Sequence, residues 1–302
     1  MAGTVVVLAG GTGGAKLARG MLDVAGEDLV VVANTGDDVE IYGAHVSPDP
    51  DLVTYWLADR IDERGWGLAG DTFAVMDGLR ELGVDVWFNL GDRDLAVCVR
   101  RAERLAGSAR LTDCLAELTA ALGVRARVLP MSDDAVRTRV LVDGGWRSLQ
   151  EFLIRDRGAG PVQGVEIAGA SEAAPAPEVL AALADARAIV IGPSNPVISI
   201  GPILAVPGVR AALDAAPAPV VAVSPLVRGQ VLKGPTESFM AWAGHSLDSD
   251  GVAAAYDGVV DGLVADERTD RVPVLETDVL MEGSAGRRRV AEAALGFAEA
   301  LR

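Results

Sequence analysis

Apolar residues in this chain fall into short β-branched runs separated by stretches with helical spacing. Residues 4–8 (TVVVL) and 29–33 (LVVVA) are continuous runs of the kind that fill strands buried on both faces of a parallel sheet. Between them, Gly10-Gly11-Thr12-Gly13-Gly14 opens a stretch in which Leu17, Met21 and Leu22 recur at helical spacing. Strand, glycine loop, helix and strand make a βαβ unit. Residues 84–90 (VDVWFNL) predict a further strand, after a helix that takes Asp71 as its N-cap and stops at Gly83. Helices follow over about 94–106 and 112–122. Strands are predicted again at 188–191, 220–223, 262–265 and 272–275, and an alanine-rich helix over about 286–301 closes the pattern.

The middle of the chain reads differently. Residues 137–149 form a hairpin pattern around Asp143-Gly144-Gly145, residues 161–167 add a strand, and 171–178 (SEAAPAPE) read as a linker. The prediction is an α/β, Rossmann-like, three-layer fold with a mostly parallel sheet. Residues 1–130 and 176–302 form the core, and 131–175 a smaller inserted α+β sub-domain, partly antiparallel. No internal repeat at solenoid spacing is present.

Composition narrows the function. At 302 residues and 50% hydrophobic content, the chain can bury a sizeable core. A net charge of −16 argues against nucleic acid and anionic membrane surfaces as partners. Cys98 and Cys114 read as buried thiols, and His45 and His245 lack metal-ligand spacing, so neither a disulfide framework nor a zinc site is expected. No apolar run reaches bilayer length, and Met1-Ala2-Gly3 leads into a strand with no signal-peptide pattern, so a cytoplasmic protein is expected. Lys16 and Lys233 are the only lysines.

Polar residues concentrate just after the predicted strands. Open parallel sheets bind ligands outside the carboxyl ends of their strands, so these loops are expected to share one crevice. The glycine loop reads as a phosphate cradle, combining exposed N–H groups with a helix N-terminus, with a plain glycine turn as its alternative. It is not the dinucleotide fingerprint, because Lys16 stands where the third glycine belongs. Nor is it a P-loop, because Ala15 precedes Lys16 and Leu17 replaces Ser/Thr. Lys16 either meets phosphate or is solvated. A nicotinamide-dependent oxidoreductase is thereby weakened, and the absence of a G-x-S-x-G elbow weakens hydrolase chemistry.

Asp37, Asp38, Asp49, Asp51, Asp71, Asp92 and Asp94 form an acidic set in or beside these loops. Carboxylates near phosphate need a bridging cation, for which Mg²⁺ is the usual choice. Asp37 also stands where a Rossmann protein places its ribose acid. Asp71 has the N-cap role as its alternative. Asp92-Arg93-Asp94 could instead be an ion pair that holds loops together. Asn195 either meets a base or ribose or completes a turn.

Together these loops resemble the 2-phospho-L-lactate transferase family, known as CofD in archaea and FbiA in actinobacteria. The resemblance is carried by the glycine loop with Lys16 and Leu17, Asn34-Thr35-Gly36-Asp37-Asp38, and Ser47-Pro48-Asp49 with Asp51. It continues through Arg64-Gly65-Trp66-Gly67, Asp71-Thr72-Phe73, Leu90-Gly91-Asp92-Arg93-Asp94 and Leu129-Pro130-Met131-Ser132-Asp133-Asp134. Gly192-Pro193-Ser194-Asn195-Pro196, Ser199-Ile200-Gly201-Pro202-Ile203 and Glu276-Thr277-Asp278 with Leu280-Met281 complete it.

The resemblance implies a Mg²⁺-dependent transferase in the biosynthesis of a deazaflavin coenzyme. Such an enzyme moves a 2-phospho-L-lactate or phosphoenolpyruvate unit from a GDP-linked donor, lactyl- or enolpyruvyl-2-diphospho-5′-guanosine. The acceptor is the ribityl hydroxyl of 7,8-didemethyl-8-hydroxy-5-deazariboflavin (Fo), and GMP is released. It also implies a homodimer. On this reading Asp37, Asp38 and Asp71 are catalytic, with Asp37 and Asp38 as metal ligands. Asp51, Asn89, Asp92 and Arg93 bind Fo, and Asn89 stands where archaeal relatives often carry a basic residue. Gly11, Thr12, Gly13, Gly14, Lys16, Ser194 and Asn195 bind the nucleotide; archaeal relatives often have Thr-Pro in place of Gly14-Ala15. The alternative is a regulatory nucleotide-sugar binding protein of the related gluconeogenesis-factor family, which shares the G-G-T-G opening.

Overall fold

The computed structural model describes residues 3–302; Met1 and Ala2, where the segment read for a leader begins, lie outside the described residues. The opening βαβ unit forms as predicted, from strand β1 (Thr4–Ala9), helix α1 (Gly11–Ala25) and strand β2 (Leu29–Ala33). The chain then leaves the sheet for a hairpin of β3 (Val39–Ile41) and β4 (Ala44–Val46). Helices α2 (Pro48–Leu57), α3 (Ala74–Glu81), α4 (Asp92–Ala106) and α5 (Leu111–Ala121) follow, and β5 (Arg127–Pro130) returns beside β2. A second excursion is antiparallel: β6 (Arg137–Val142), β7 (Gly145–Ser148) and β8 (Gly164–Ala168) pair in the order β7-β6-β8.

Alternation then resumes through α6 (Pro177–Ala184), β9 (Ala186–Ile191), α7 (Gly201–Ala205), α8 (Val209–Asp214) and β10 (Val220–Val223). A small ladder of β11 (Leu226–Val227) and β12 (Gln230–Val231) precedes α9 (Thr236–Trp242) and α10 (Ser249–Ala255). The chain ends with β13 (Gly262–Ala265), β14 (Val274–Glu276) and α11 (Gly283–Ala300).

The central sheet has seven strands, ordered β14-β13-β10-β9-β1-β2-β5 and parallel throughout. Alternate side chains face opposite layers, which is why the strands read as unbroken apolar runs. Val5 and Val7 pack with Leu17 and Met21 of α1, Val53 of α2 and Ala294 of α11. Val6 and Leu8 pack with Val179 of α6, Ile203 of α7 and Val252 of α10. The sheet therefore lies between two helical layers, as the α/β reading requires.

Two local expectations are corrected. Residues 84–90 form no strand: the place beside β2 is filled by β5, and the Phe88 N–H donates to the Tyr42 hydroxyl at 3.1 Å. Their apolar side chains, Val86 and Phe88, instead pack on a separate cluster of Ala44, Val46, Met76, Leu90, Leu95 and Cys98. The stretch 171–178 is not a free linker, because Ala173 and Ala176 are buried against the main core. Cys98 and Cys114 are buried free thiols, as expected. Among the described residues, no helix is long and apolar enough to cross a membrane.

Candidate functional site

The glycine loop is held from behind by the loop after β9. The Ser194 hydroxyl donates to the Gly10 carbonyl at 2.7 Å and accepts the Gly10 N–H at 3.2 Å. A Cβ on Gly13 would lie 2.0 Å from the Pro193 carbonyl oxygen, and one on Gly14 would lie 2.7 Å from Ser194 Oγ. These glycines are therefore fixed by contacts within the chain. Gly11 differs: it has φ +62°, and a Cβ there would meet only Ser199 Oγ, at 3.9 Å. The first turn of a helix leaves its N–H groups without intrahelical partners. Asp49 Oδ1 takes the Gly11 N–H at 2.7 Å, which leaves those of Thr12 and Gly13 for an external anion.

Beside that turn stands a cationic cluster. Lys233 Nζ, from the segment after β12, lies 3.5 Å from Thr12 Oγ1. Lys16 and Arg287 stack on the Trp56 ring, 5.9 and 5.1 Å from its centroid. Burial, Lys233 and Arg287 together hold the Lys16 ammonium below its ordinary pKa. None of the three pairs with a carboxylate among the described residues. Lys16 was singled out in the sequence as a possible phosphate contact; Lys233, noted there only as the second lysine, and Arg287 join it through tertiary contact.

The acidic residues after β2 form a buried network around Asn34. Its amide donates to Asp37 Oδ1 at 2.8 Å and Asp49 Oδ2 at 2.9 Å, while its carbonyl accepts the Gly36 N–H at 2.7 Å. Gln150 approaches Asp37 Oδ2 at only 3.5 Å. Burial and the neighbouring Asp49 push the Asp37 carboxyl well up; burial likewise pushes Asp49 up to about 6, against the hydrogen bonds from Asn34 and Gly11. Asp38 turns away, accepting from Ser47 Oγ at 2.7 Å and facing His45 Nε2 at 3.1 Å. Asp37 and Asp38 thus have different partners.

Asp71, Asp92 and Asn89 hold protein rather than open space. Asp71 does not cap the helix that follows it; its carboxylate accepts the Arg93 N–H at 2.9 Å and the Asp94 N–H at 3.0 Å, capping α4. Asp92 accepts the Ala74 and Val75 N–H groups at 3.1 and 3.0 Å and Thr72 Oγ1 at 2.6 Å, capping α3. Hydrogen bonds from Thr72 and Val75 hold the Asp92 carboxyl below the ordinary range. Asn89 accepts from Arg80 at 2.8 Å. Arg93 is exposed and makes no ion pair among the described residues, so Asp92-Arg93-Asp94 is not the ion-paired clamp considered for it. Asn195 completes a turn: its carbonyl accepts the Val197 and Ile198 N–H groups at 2.9 and 3.2 Å.

Asp51 is gripped by the buried Arg101, whose Nη1 lies 3.1 Å from Asp51 Oδ2 and whose Nη2 donates to Oδ1. Arg101 also donates to the His45 carbonyl at 3.0 Å. Asp51, Asp94 and Cys98 are the one trio of potential ligand groups drawn within 4.8 Å among the described residues. The guanidinium already neutralises Asp51, so this trio is an ion-pair centre rather than a metal site. Asp94 accepts from the Tyr55 hydroxyl at 2.7 Å, and burial next to Asp51 pushes its carboxyl up to about 7.

The family model described as 2-phospho-L-lactate transferase CofD matches residues 5–287. The chain belongs to the CofD family. It is 41% identical over 266 residues to a 2-phospho-L-lactate transferase from Methanosarcina mazei, covering 87% of each chain. It is 40% identical over 325 residues to a phosphoenolpyruvate transferase from Kitasatospora aureofaciens, covering 99% of this chain and 98% of that one. A crystal structure of a UPF0052-family protein from Bacillus halodurans superposes with a TM-score of 0.66 at 19% identity, covering 98% of this chain and 99% of that one, and supports the fold alone.

Within this CofD-family fold, the loops after β1, β2 and β9 meet directly, and the segments after β10 and β14 contribute cations. Sequence reasoning missed Tyr55, Arg101, Lys233 and Arg287. The rarity of lysine in the chain was the one signal pointing to Lys233. A cavity of about 990 Å³ lies elsewhere, at the amino-terminal ends of β10 and β13, far from these groups.

Proposed function

We propose that this chain transfers a 2-phospho-L-lactate or phosphoenolpyruvate unit from a GDP-linked donor to the ribityl hydroxyl of Fo, releasing GMP. The observation that carries the reading is the unpaired cluster of Lys16, Lys233 and Arg287 beside the free Thr12 and Gly13 N–H groups. On a chain of net charge −16, three such cations mark a place for a polyanion such as a diphosphate. The curated relatives include transferases named for both acids, which supports either donor.

The chemistry needs positioning and charge neutralisation rather than a covalent nucleophile. The helix start and the three cations hold the diphosphate. Asp49 blocks the Gly11 side and so sets where the anion lies. The acceptor oxygen bonds to the phosphorus that carries the acid, the bridging P–O bond breaks, and GMP leaves with that oxygen. Mg²⁺ fits this reading through Asp37, whose Oδ2 has only a long contact and whose carboxyl is pushed up by burial and by the neighbouring Asp49. Asp38 fits less well, since Ser47 and His45 occupy its oxygens. When bound, the ion would offset charge on the diphosphate. A cytoplasmic location and a homodimer complete the proposal; the exposed apolar side chains of Val75 on α3 and Leu82 just after it support a covered face there.

The test is Fo binding. Titrating the protein into Fo should quench or polarise the deazaflavin fluorescence in the micromolar range. An unchanged signal at several hundred micromolar protein would overturn the reading.

A further inference from the structure

Among the seven aspartates of the acidic set, nearly every carboxylate oxygen is already satisfied inside the protein. Asp49 holds Gly11 and Asn34, Asp38 holds Ser47 and His45, and Asp51 holds Arg101. Asp71 and Asp92 hold helix starts. Asp37 Oδ2 keeps only its long contact with Gln150. Asp94 is different: Oδ1 accepts from Tyr55, while Oδ2 has no donor among the described residues and is not sealed from solvent.

The free oxygen and the cationic cluster lie against the same loop. A side chain at Gly67 would sit 3.8 Å from Asp94 Oδ2, and one at Gly65 would sit 4.0 Å from Lys233 Nζ. Two residues span at most about 7 Å, so one short arc of loop covers both groups.

We infer that Asp94 is the catalytic base of the transfer, its free Oδ2 taking the proton of the acceptor hydroxyl. The inference rests on the transferase reading. As the acceptor oxygen bonds to phosphorus, its proton passes to Asp94 Oδ2, and GMP leaves with the bridging oxygen. The groups facing Asp94 suit this role. Asp51 and Tyr55 approach from α2, Cys98 and Arg101 from α4, and Asp71 from the loop before α3. Burial and Asp51 raise its proton affinity, and the Tyr55 hydrogen bond tempers the rise to about 7. A base with that affinity is matched to neutral pH.

The experiment compares wild type, Asp94→Asn and Tyr55→Phe in steady-state transfer from a GDP-linked donor to Fo across pH 5.5–9, a window of roughly 1.5 to 2 units either side of the Asp94 value. Wild-type kcat should rise with pH through a limb near 7, because the base must be ionised. Asp94→Asn should lose about 100-fold or more in kcat with little change in donor KM, and should lose the limb. Tyr55→Phe, which removes the hydrogen bond that lowers the Asp94 value, should move the limb to higher pH, and it serves as the test should Asp94→Asn fold poorly. Asp94→Asn with near-wild-type kcat and an intact limb, or Tyr55→Phe with an unmoved limb, would overturn the assignment alone. Absence of wild-type turnover would overturn the transferase reading and this inference with it.

Discussion

Asp71 and Asp92 cap each other's helices. Asp71 precedes α3 yet receives the first N–H groups of α4, while Asp92 begins α4 and receives the first N–H groups of α3. The exchange ties two helices that share few buried side chains, and it presents Asp94 from a fixed helix start. Asp71→Ala should cost on the order of 1 kcal/mol, read as a lower denaturation midpoint. Gly91→Ala should be comparably harmful, because its Cβ would lie 2.2 Å from Asp71 Oδ2. An unchanged midpoint in both would show that the exchange contributes nothing to stability.

The glycines of the phosphate loop should separate by variant. Gly13→Ala drives a Cβ to 2.0 Å from backbone oxygen, so melting temperature should fall, with a loss of about 1–3 kcal/mol. Gly11→Ala meets only an ordinary contact with Ser199 Oγ at 3.9 Å and has its positive φ to overcome, about 1–2 kcal/mol. Thermal melts of the two variants check the order. Equal destabilisation would contradict the packing role given to Gly13.

The cationic cluster predicts a salt-sensitive donor site. Lys233→Ala should raise donor KM about tenfold, the size of one charge-assisted hydrogen bond, with a smaller change in kcat. Donor KM in the wild type should also rise with ionic strength, less steeply in the variant. Kinetics at two salt concentrations test both points. Donor KM unaffected by Lys233→Ala would remove Lys233 from the phosphate site.

Asp49 predicts the pH dependence of stability. Its carboxyl is raised from 3.8 to about 6 in the folded chain. A raised folded value favours the protonated form, so its stabilising contribution is full below the unfolded value and is lost as pH rises through about 6. Asp37, also raised, acts in the same direction. Melting temperatures of wild type and Asp49→Asn should therefore shift in favour of the variant between about pH 4 and 7. A constant difference across that window would contradict the assignment.

The sheet was legible because both of its faces are covered, leaving β1, β2, β9, β10 and β13 as bare apolar runs. The segment at residues 84–90 misled for the same reason: an apolar run records burial, not pairing, and Val86 and Phe88 are half-buried on a small separate cluster. Helix α2 was hidden by Pro48 and Pro50, which a first turn tolerates because its N–H groups need no intrahelical partner. At the site, the glycine loop and the aspartates were visible as local motifs. Their division of labour was not, because it depends on partners far along the chain: Arg101 for Asp51, Ser194 for Gly10, and Lys233 for Thr12.

The most direct test of the central claim is a single-turnover assay of the purified protein with Fo, offering lactyl- and enolpyruvyl-diphosphoguanosine in parallel with Mg²⁺. Chromatography with mass detection would follow GMP and the phospho-acid adduct of Fo. The account predicts GMP and adduct in equal amounts from at least one donor, and their joint loss in Lys16→Ala/Lys233→Ala. GMP without adduct, or neither product from either donor, would contradict it.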